Sequence, residues 1–255
     1  MPKWLPSRRW EQTSLVNVPS LRARGRFLIV ADQIVVTRRL PSRSIPLMKL
    51  LILGATGATG LQVVTQAVER GHTVTAFVRN MGPLERFGDR ITVVRGNLLD
   101  PAELTGVLPG QEAILSAFGP RLPISKADAD LLQRFAVALT RGMQKTGVRR
   151  VVIESTAFLF RDAVFPPAHL FGRLFFPGVV RDASEMENII SKSGLDWTLV
   201  RPPQLTNKPP TGKYRTKIGH LPPFGFNISR ADVADFMVKA GENHASIQKI
   251  IGLAN

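Results

Sequence analysis

From residue 48 onward, short apolar runs alternate with stretches whose apolar positions recur every three to four residues. That alternation reads as strand, helix, strand, helix. Strands are expected at 49–53, 73–78, 91–95, 112–118, 149–154, 196–201 and 248–253, and helices at 61–70, 101–108, 126–146 and 181–192. A last helix should start at Ser229 or Arg230 and end near residue 240. Local signals mark the ends: Pro101 at a first helical position, glycines 71, 147 and 194 as stops, and Ser229-Arg-Ala-Asp232 as a capping box. Alternating βα units build a Rossmann α/β fold, a doubly wound parallel sheet in a single domain over residues 48–255. Ligands on such a sheet sit at the carboxyl ends of the strands, near the switch point between the first and fourth of them.

Residues 1–47 follow a different pattern. They hold nine Lys and Arg against Glu11 and Asp32, with Trp4, Trp10 and prolines at 2, 6, 19, 41 and 46. Only Phe27 to Val36 is apolar enough for a strand or hairpin. Three readings stay open for this basic extension. It is Arg-rich and acid-poor, as organelle transit peptides are; it could tether the protein to an anionic surface; or it lies upstream of a natural start at Met48. The third is favoured, because Met48-Lys49-Leu50 would open a chain on its first strand.

Composition narrows the function classes. The chain has 255 residues, 44% of them hydrophobic, which suits one α/β domain with a substantial core. No cysteine is present, so disulfides, thiolate metal sites and a cysteine nucleophile are excluded. The four histidines (72, 169, 220 and 244) lack metal-ligand spacing, so no metal is expected. No apolar run reaches the ~18 residues that span a bilayer. The net charge of +15 raises nucleic-acid binding, but much of it lies in the extension and no motif supports it. The expected partner is a small molecule, the location cytoplasmic unless residues 1–47 target an organelle, and the assembly a monomer or homodimer.

The chemistry-bearing stretch is Gly54-Ala-Thr-Gly-Ala-Thr-Gly60, between the first strand and first helix. Gly54 would turn the chain off the strand, Gly57 would let backbone approach a pyrophosphate, and Gly60 would let the helix pack closely. Free N–H groups and the positive dipole end of the helix would face the phosphates. Taken alone, the triplet could be a flexible turn; the βαβ context makes it a dinucleotide site. At the end of the second strand, where an NAD site has an acid for the ribose 2′-hydroxyl, this chain has Arg79. A guanidinium can grip a 2′-phosphate, so NADP(H) is expected over NAD(H). The alternative is an ordinary surface arginine, with Arg86 a weaker helper.

Several segments together carry a resemblance: Gly54 to Gly60, Phe77-Val-Arg79, Gly96-Asn-Leu-Leu-Asp100, Ser193-Gly-Leu-Asp-Trp-Thr-Leu-Val-Arg-Pro-Pro203, Pro209 to Thr216, and Ile228 to Phe236. The chain resembles the atypical short-chain dehydrogenase/reductases over residues 48–255. It is similar within them to the flavin reductase/biliverdin-IXβ reductase branch and to NmrA-like NAD(P)H-binding proteins. The resemblance implies that Gly54, Thr56, Gly57, Ala58, Thr59 and Gly60 line the pyrophosphate and that Arg79 meets the 2′-phosphate. It puts Asn97 and Leu98 beside the adenine, although the family often has Asp at the position of Asn97. It puts Ala117, Phe118 and Gly119 by the nicotinamide-side ribose. Ser155 and Thr156 fall beside the nicotinamide, where they would orient it and the acceptor, and Pro202, Pro203 and Gln204 fall near its carboxamide. Ser155 and Thr156 could instead simply cap a strand end.

The usual Tyr-x-x-x-Lys pair of short-chain dehydrogenases has no match here: the single tyrosine is Tyr214, with Lys217 three residues on and Ile218 four on. The resembled flavin reductases need no such pair. The histidine that some of them carry after the last prolines is Gln204, which argues against an acid there and against biliverdin as substrate. Residues 158–180 hold six of the fourteen phenylalanines and three prolines, an aromatic flap rather than one helix. It could cover a flat acceptor, pack on the core, or offer a patch to a partner or membrane, with Arg161, Arg173 and His169 near an acceptor's anionic group. Two functions are carried forward. One is an NADPH-dependent oxidoreductase that reduces a flavin- or quinone-type acceptor by direct hydride transfer; the other is a non-catalytic NADP(H)-binding redox sensor of NmrA type.

Overall fold

A computed structural model describes residues 28–30, 33–35, 47–120, 129–161 and 168–255. The chain divides into two units, Met1–Ile45 and Pro46–Asn255. In the first, strands β1 (Leu28–Val30) and β2 (Gln33–Val35) pair antiparallel, the hairpin expected from that apolar stretch.

In the second unit, the first half runs β3 (Lys49–Leu53), α1 (Ala58–Glu69), β4 (Thr73–Val78), β5 (Ile91–Arg95), α2 (Pro101–Gly106), β6 (Ala113–Ser116) and α3 (Leu131–Thr146). The second half runs β7 (Arg150–Glu154), α4 (Ala168–Phe175), α5 (Pro177–Ser191), β8 (Asp196–Arg201), β9 (Gln204–Thr206), β10 (Arg215–Ile218), β11 (Asn227–Ser229), α6 (Arg230–Glu242) and β12 (Lys249–Ala254). Eight strands form one sheet in the order β10-β12-β8-β7-β6-β3-β4-β5. All pair in parallel except β10, which lies antiparallel on β12. The Rossmann expectation is met.

The register explains the two cores. On one face Leu50, Ile52, Val74, Ala76, Leu115 and Val152 meet Val63, Val64 and Ala67 of α1 and Val233 and Met237 of α6. Their neighbours Leu51, Leu53, Phe77, Ile114, Val151 and Ile153 point the other way, onto Leu104, Phe135, Leu139, Met143, Met186 and Ile190. Parallel strands covered on both faces need such continuous apolar runs. Each buried Leu, Ile or Phe contributes roughly 1.5–3 kcal/mol.

Boundaries depart from expectation where polar or proline signals were misweighted. α5 starts at Pro177 rather than residue 181, because proline suits a first helical position. The described part of α3 starts at Leu131, and residues 126–128 of the expected helix lie outside the described residues. There Asp182 of α5 accepts hydrogen bonds from the Leu132 and Gln133 amides, a cap supplied by a neighbouring helix. Half of the capping box at α6 forms: Ser229 Oγ accepts from the Asp232 amide at 2.9 Å, but the Ser229 amide donates to Asn255 Oδ1 instead of to Asp232. The Asp232 carboxylate, however, binds the Ser229 hydroxyl, the Thr211 and Gly212 amides and Asn255.

Candidate functional site

The glycine turn is shaped as its residue types require. Gly54 has φ +74, in the left-handed region, and a Cβ there would come within 2.7 Å of the Ala117 backbone. A Cβ on Gly60 would overlap the Gly54 carbonyl oxygen. The turn closes through a hydrogen bond from the Gly57 amide to the Gly54 oxygen at 2.9 Å. Gly57 is the N-cap of α1, and no side chain caps that helix. Gly57 and Ala58 are exposed, Thr56 is half-buried, and Thr59 is buried. The positive end of a twelve-residue helix thus opens at the switch point between β3 and β6.

The other expected residues follow the carboxyl ends of neighbouring strands, along one rim. Arg79 follows β4, is exposed, and makes no ion pair among the described residues. Arg86 is committed elsewhere: it donates to Thr65 Oγ1 at 3.1 Å and lies over the Phe87 ring. After β5, Leu98 is buried and Asn97 shapes its own turn, its Oδ1 accepting from the Leu99 amide while its amide donates to Glu103. After β6, the Ala117 amide donates to Leu53, and Phe118 packs on Phe135 with ring centroids 4.9 Å apart. Gly119 beyond it is exposed. After β7, Thr156 Oγ1 accepts from the Phe158 amide, which is the capping role held open for it. After β8, Pro202 is buried and accepts from the Ala157 amide, while Gln204 enters β9 and its side chain is exposed.

Ser155 leads to residues that sequence reasoning missed. Its hydroxyl donates to Glu187 of α5 at 2.5 Å. Arg201, at the end of β8, grips the same carboxylate through Nε and Nη2, and its guanidinium lies over the Phe160 ring at 4.7 Å. Glu187 and Phe160 are buried. The available signal was an acid among Ala183, Met186 and Ile190, at a core-facing position of its helix. The carboxylate that Arg201 holds in place takes the Ser155 hydrogen, which leaves this hydroxyl acceptor capacity only.

Glu154, one residue earlier, shares a face with Arg150 and Val152 and lies beneath α1. Thr59 Oγ1 donates to it at 3.3 Å. Burial pushes its carboxyl up to about 7, against the hydrogen bond from Thr59 and the charge of Arg230. The single tyrosine lies off the rim. Tyr214 donates to Asp235 Oδ2 at 2.7 Å, and Asp235 is also paired with Arg70, just past the end of α1, and with Lys239. Burial first, then this hydrogen bond, raises the phenol far above its ordinary value.

An uncapped helix end behind a glycine turn, at the switch point of a parallel sheet, defines a dinucleotide-binding protein. Residues 54–244 match the NAD(P)H-binding family, and the chain belongs to it. A chloroplastic, uncharacterized protein of Arabidopsis thaliana is 32% identical over 212 residues, covering 80% of this chain and 75% of that protein. The photosystem II assembly factor Ycf39 of Synechocystis is 28% identical over 60% of this chain, which spans 44% of that protein's length. Among solved structures, a Burkholderia pseudomallei protein described as exported superposes with a TM-score of 0.69 at 30% identity, over 82% of this chain and all of that one. The NAD(P)H-binding family that the resemblance implied is borne out.

Proposed function

We propose that this protein is an NADPH-dependent reductase of a flat, conjugated acceptor of flavin or quinone type. The observation that carries the reading is the pairing of two features: the uncapped, exposed start of α1 after β3, and Arg79 at the end of the adjacent strand β4 with no ion pair among the described residues. The residues present fit the coenzyme: the missing Cβ atoms at Gly54 and Gly60 let the loop and helix pack backbone against backbone, and the exposed Gly57 and Ala58 at the helix start are left to meet a diphosphate. Gly54, Thr56, Gly57, Ala58, Thr59 and Gly60 would hold the diphosphate, Arg79 the 2′-phosphate, and Asn97 and Leu98 the adenine side. Ala117, Phe118, Gly119, Ser155, Thr156, Pro202, Pro203 and Gln204 would border the nicotinamide half. When bound, the coenzyme supplies the hydride.

The chain's own contribution is then orientation. Ser155 donates its proton to Glu187, so toward a bound ligand its hydroxyl would act as an acceptor. Tyr214 is bound to Asp235 and stays out of the chemistry. An acceptor that needs a proton takes it from solvent.

The experiment is oxidation of NADPH by the purified protein with a panel of FMN, quinones and dyes. Steady turnover is expected. An Arg79→Ala variant should weaken NADPH binding about tenfold or more, the scale of a lost charge-assisted pair, and leave NADH nearly unchanged. Equal effects on both coenzymes would remove the argument for NADPH. Similarity to an assembly factor favours the second reading, a cofactor-bound sensor without turnover. Tight NADPH binding with no oxidation across the panel would establish that reading. Residues 1–47 we assign to a segment outside the catalytic domain, a targeting segment, a tether to an anionic surface, or an extension upstream of a start at Met48. N-terminal sequencing of the natural protein distinguishes these.

A further inference from the structure

An amphipathic helix normally turns its apolar side to the core. α4 does the reverse. His169 and Gly172 face inward: His169 Nδ1 bonds the Phe158 carbonyl oxygen at 2.8 Å, and a Cβ on Gly172 would meet Phe158 at 2.6 Å and Val180 at 3.0 Å. At 100° per residue, Leu170, Phe171, Leu174 and Phe175 fall on the opposite side. They are 59%, 49%, 67% and 63% exposed. Phe171 packs on Phe175 with tilted rings, centroids 4.6 Å apart, and its inner edge reaches Phe158 and Phe176 at 6.1 Å, while much of both side chains stays in water. The glycine is what allows the inverted seating, since only a residue without a side chain lets the helix lie directly on Phe158.

Among the described residues nearest this face in sequence, the exposed charges have one sign. Arg173 on α4, Arg161 before it and Arg181 on α5 are all exposed. No carboxylate stands among the described residues from 155 to 181, and the next exposed one in sequence is Glu185, a turn beyond Arg181. We infer that α4 is an interfacial anchor, whose Leu and Phe side chains enter the headgroup boundary of an anionic bilayer while the surrounding arginines bind its lipid headgroups. An apolar face edged by cations matches that surface in both respects. A second copy of the chain fits poorly. Two-fold pairing would set arginines of like charge against each other, and four apolar side chains fall well short of the ~20–30 residues a side of a stable interface. Among the described residues no helix is long and apolar enough to cross the membrane, so the contact lies on the surface.

The test is flotation of the full chain with vesicles of phosphatidylcholine alone and of phosphatidylcholine with phosphatidylglycerol. Binding is expected only to the anionic vesicles and should fall with added salt. Leu174→Asp and Phe175→Asp variants should lose about tenfold or more of the partitioning, as removal of an inserted apolar side chain requires. Arg173→Glu should show a smaller loss. Circular dichroism melting would verify that each variant is folded, and both side chains replaced by Asp are mostly exposed. No binding to anionic vesicles would overturn the inference. So would binding that the α4 variants leave intact, which would place the contact elsewhere, and so would a dimer in solution that the same variants dissolve.

Discussion

Glu154 shows how much one residue can couple here. Its carboxyl is held up to about 7 by burial beneath α1. In the unfolded chain it ionises near 4.5, so between about 4.5 and 7 the folded state keeps a proton that the unfolded state has lost. Stability from this group is therefore complete below that window and is lost as pH rises through it. A shift of this size corresponds to roughly 3–4 kcal/mol. Urea unfolding at pH 5 and pH 8 should show a marked fall for the native protein and a much smaller one for Glu154→Gln, which stays neutral throughout. A pH dependence unchanged in the variant would show that the carboxyl is not the source. Ser155 and Arg201 differ in kind: their partner Glu187 comes from another helix, so no local motif announces them.

The element that organises the rim is α1. Its first turn stands where it does because Gly54 and Gly60 nearly touch, which brings the loop after β6 against the loop after β3. Gly60→Ala inserts a methyl into backbone and should cost about 1–3 kcal/mol, the scale of overpacking. Calorimetry should show weaker NADPH binding together with a lowered melting temperature; a variant as stable and as tight-binding as the parent would mean the turn tolerates displacement. The glycine turn and the helix behind it were legible in the sequence, because the glycines are demanded by geometry within a few residues, although the helix begins at Ala58, three residues before the expected start at 61. β9, β10 and β11 were not. They have three or four residues each, too few to display alternation, and the side chains of β10 are exposed. The inverted seating of α4 was equally hidden. Its residue spacing is that of any amphipathic helix, and only the packing of Gly172 on Phe158 shows which side faces out.

Across the whole molecule, Arg150 joins the layers. Buried at the start of β7, it donates to the Asp196 and Ala240 carbonyls and to the Thr198 and Ser246 hydroxyls, tying β7 to β8, α6 and the turn before β12. Burial lowers its guanidinium to about 10, opposed by the Asp196 charge, and it remains a cation at neutral pH. Arg150→Ala should destabilise the domain by about 2–4 kcal/mol, because several buried acceptors lose their donor. Urea titration would measure it, and a change under about 0.5 kcal/mol, the scale of a surface substitution, would contradict the assignment. The sequence by itself determined the seven strands that pair in parallel and most of the helices between them, the glycine turn and the place of Arg79, since each depends on periodicity or on backbone demands among near neighbours. Only the tertiary structure decided that Glu187 and Arg201 stand behind Ser155, that Tyr214 is spent on Asp235, and that four apolar side chains of α4 face water. Those relations join residues from 14 to 32 positions apart, or depend on the rotation of a helix about its axis, and local sequence encodes neither.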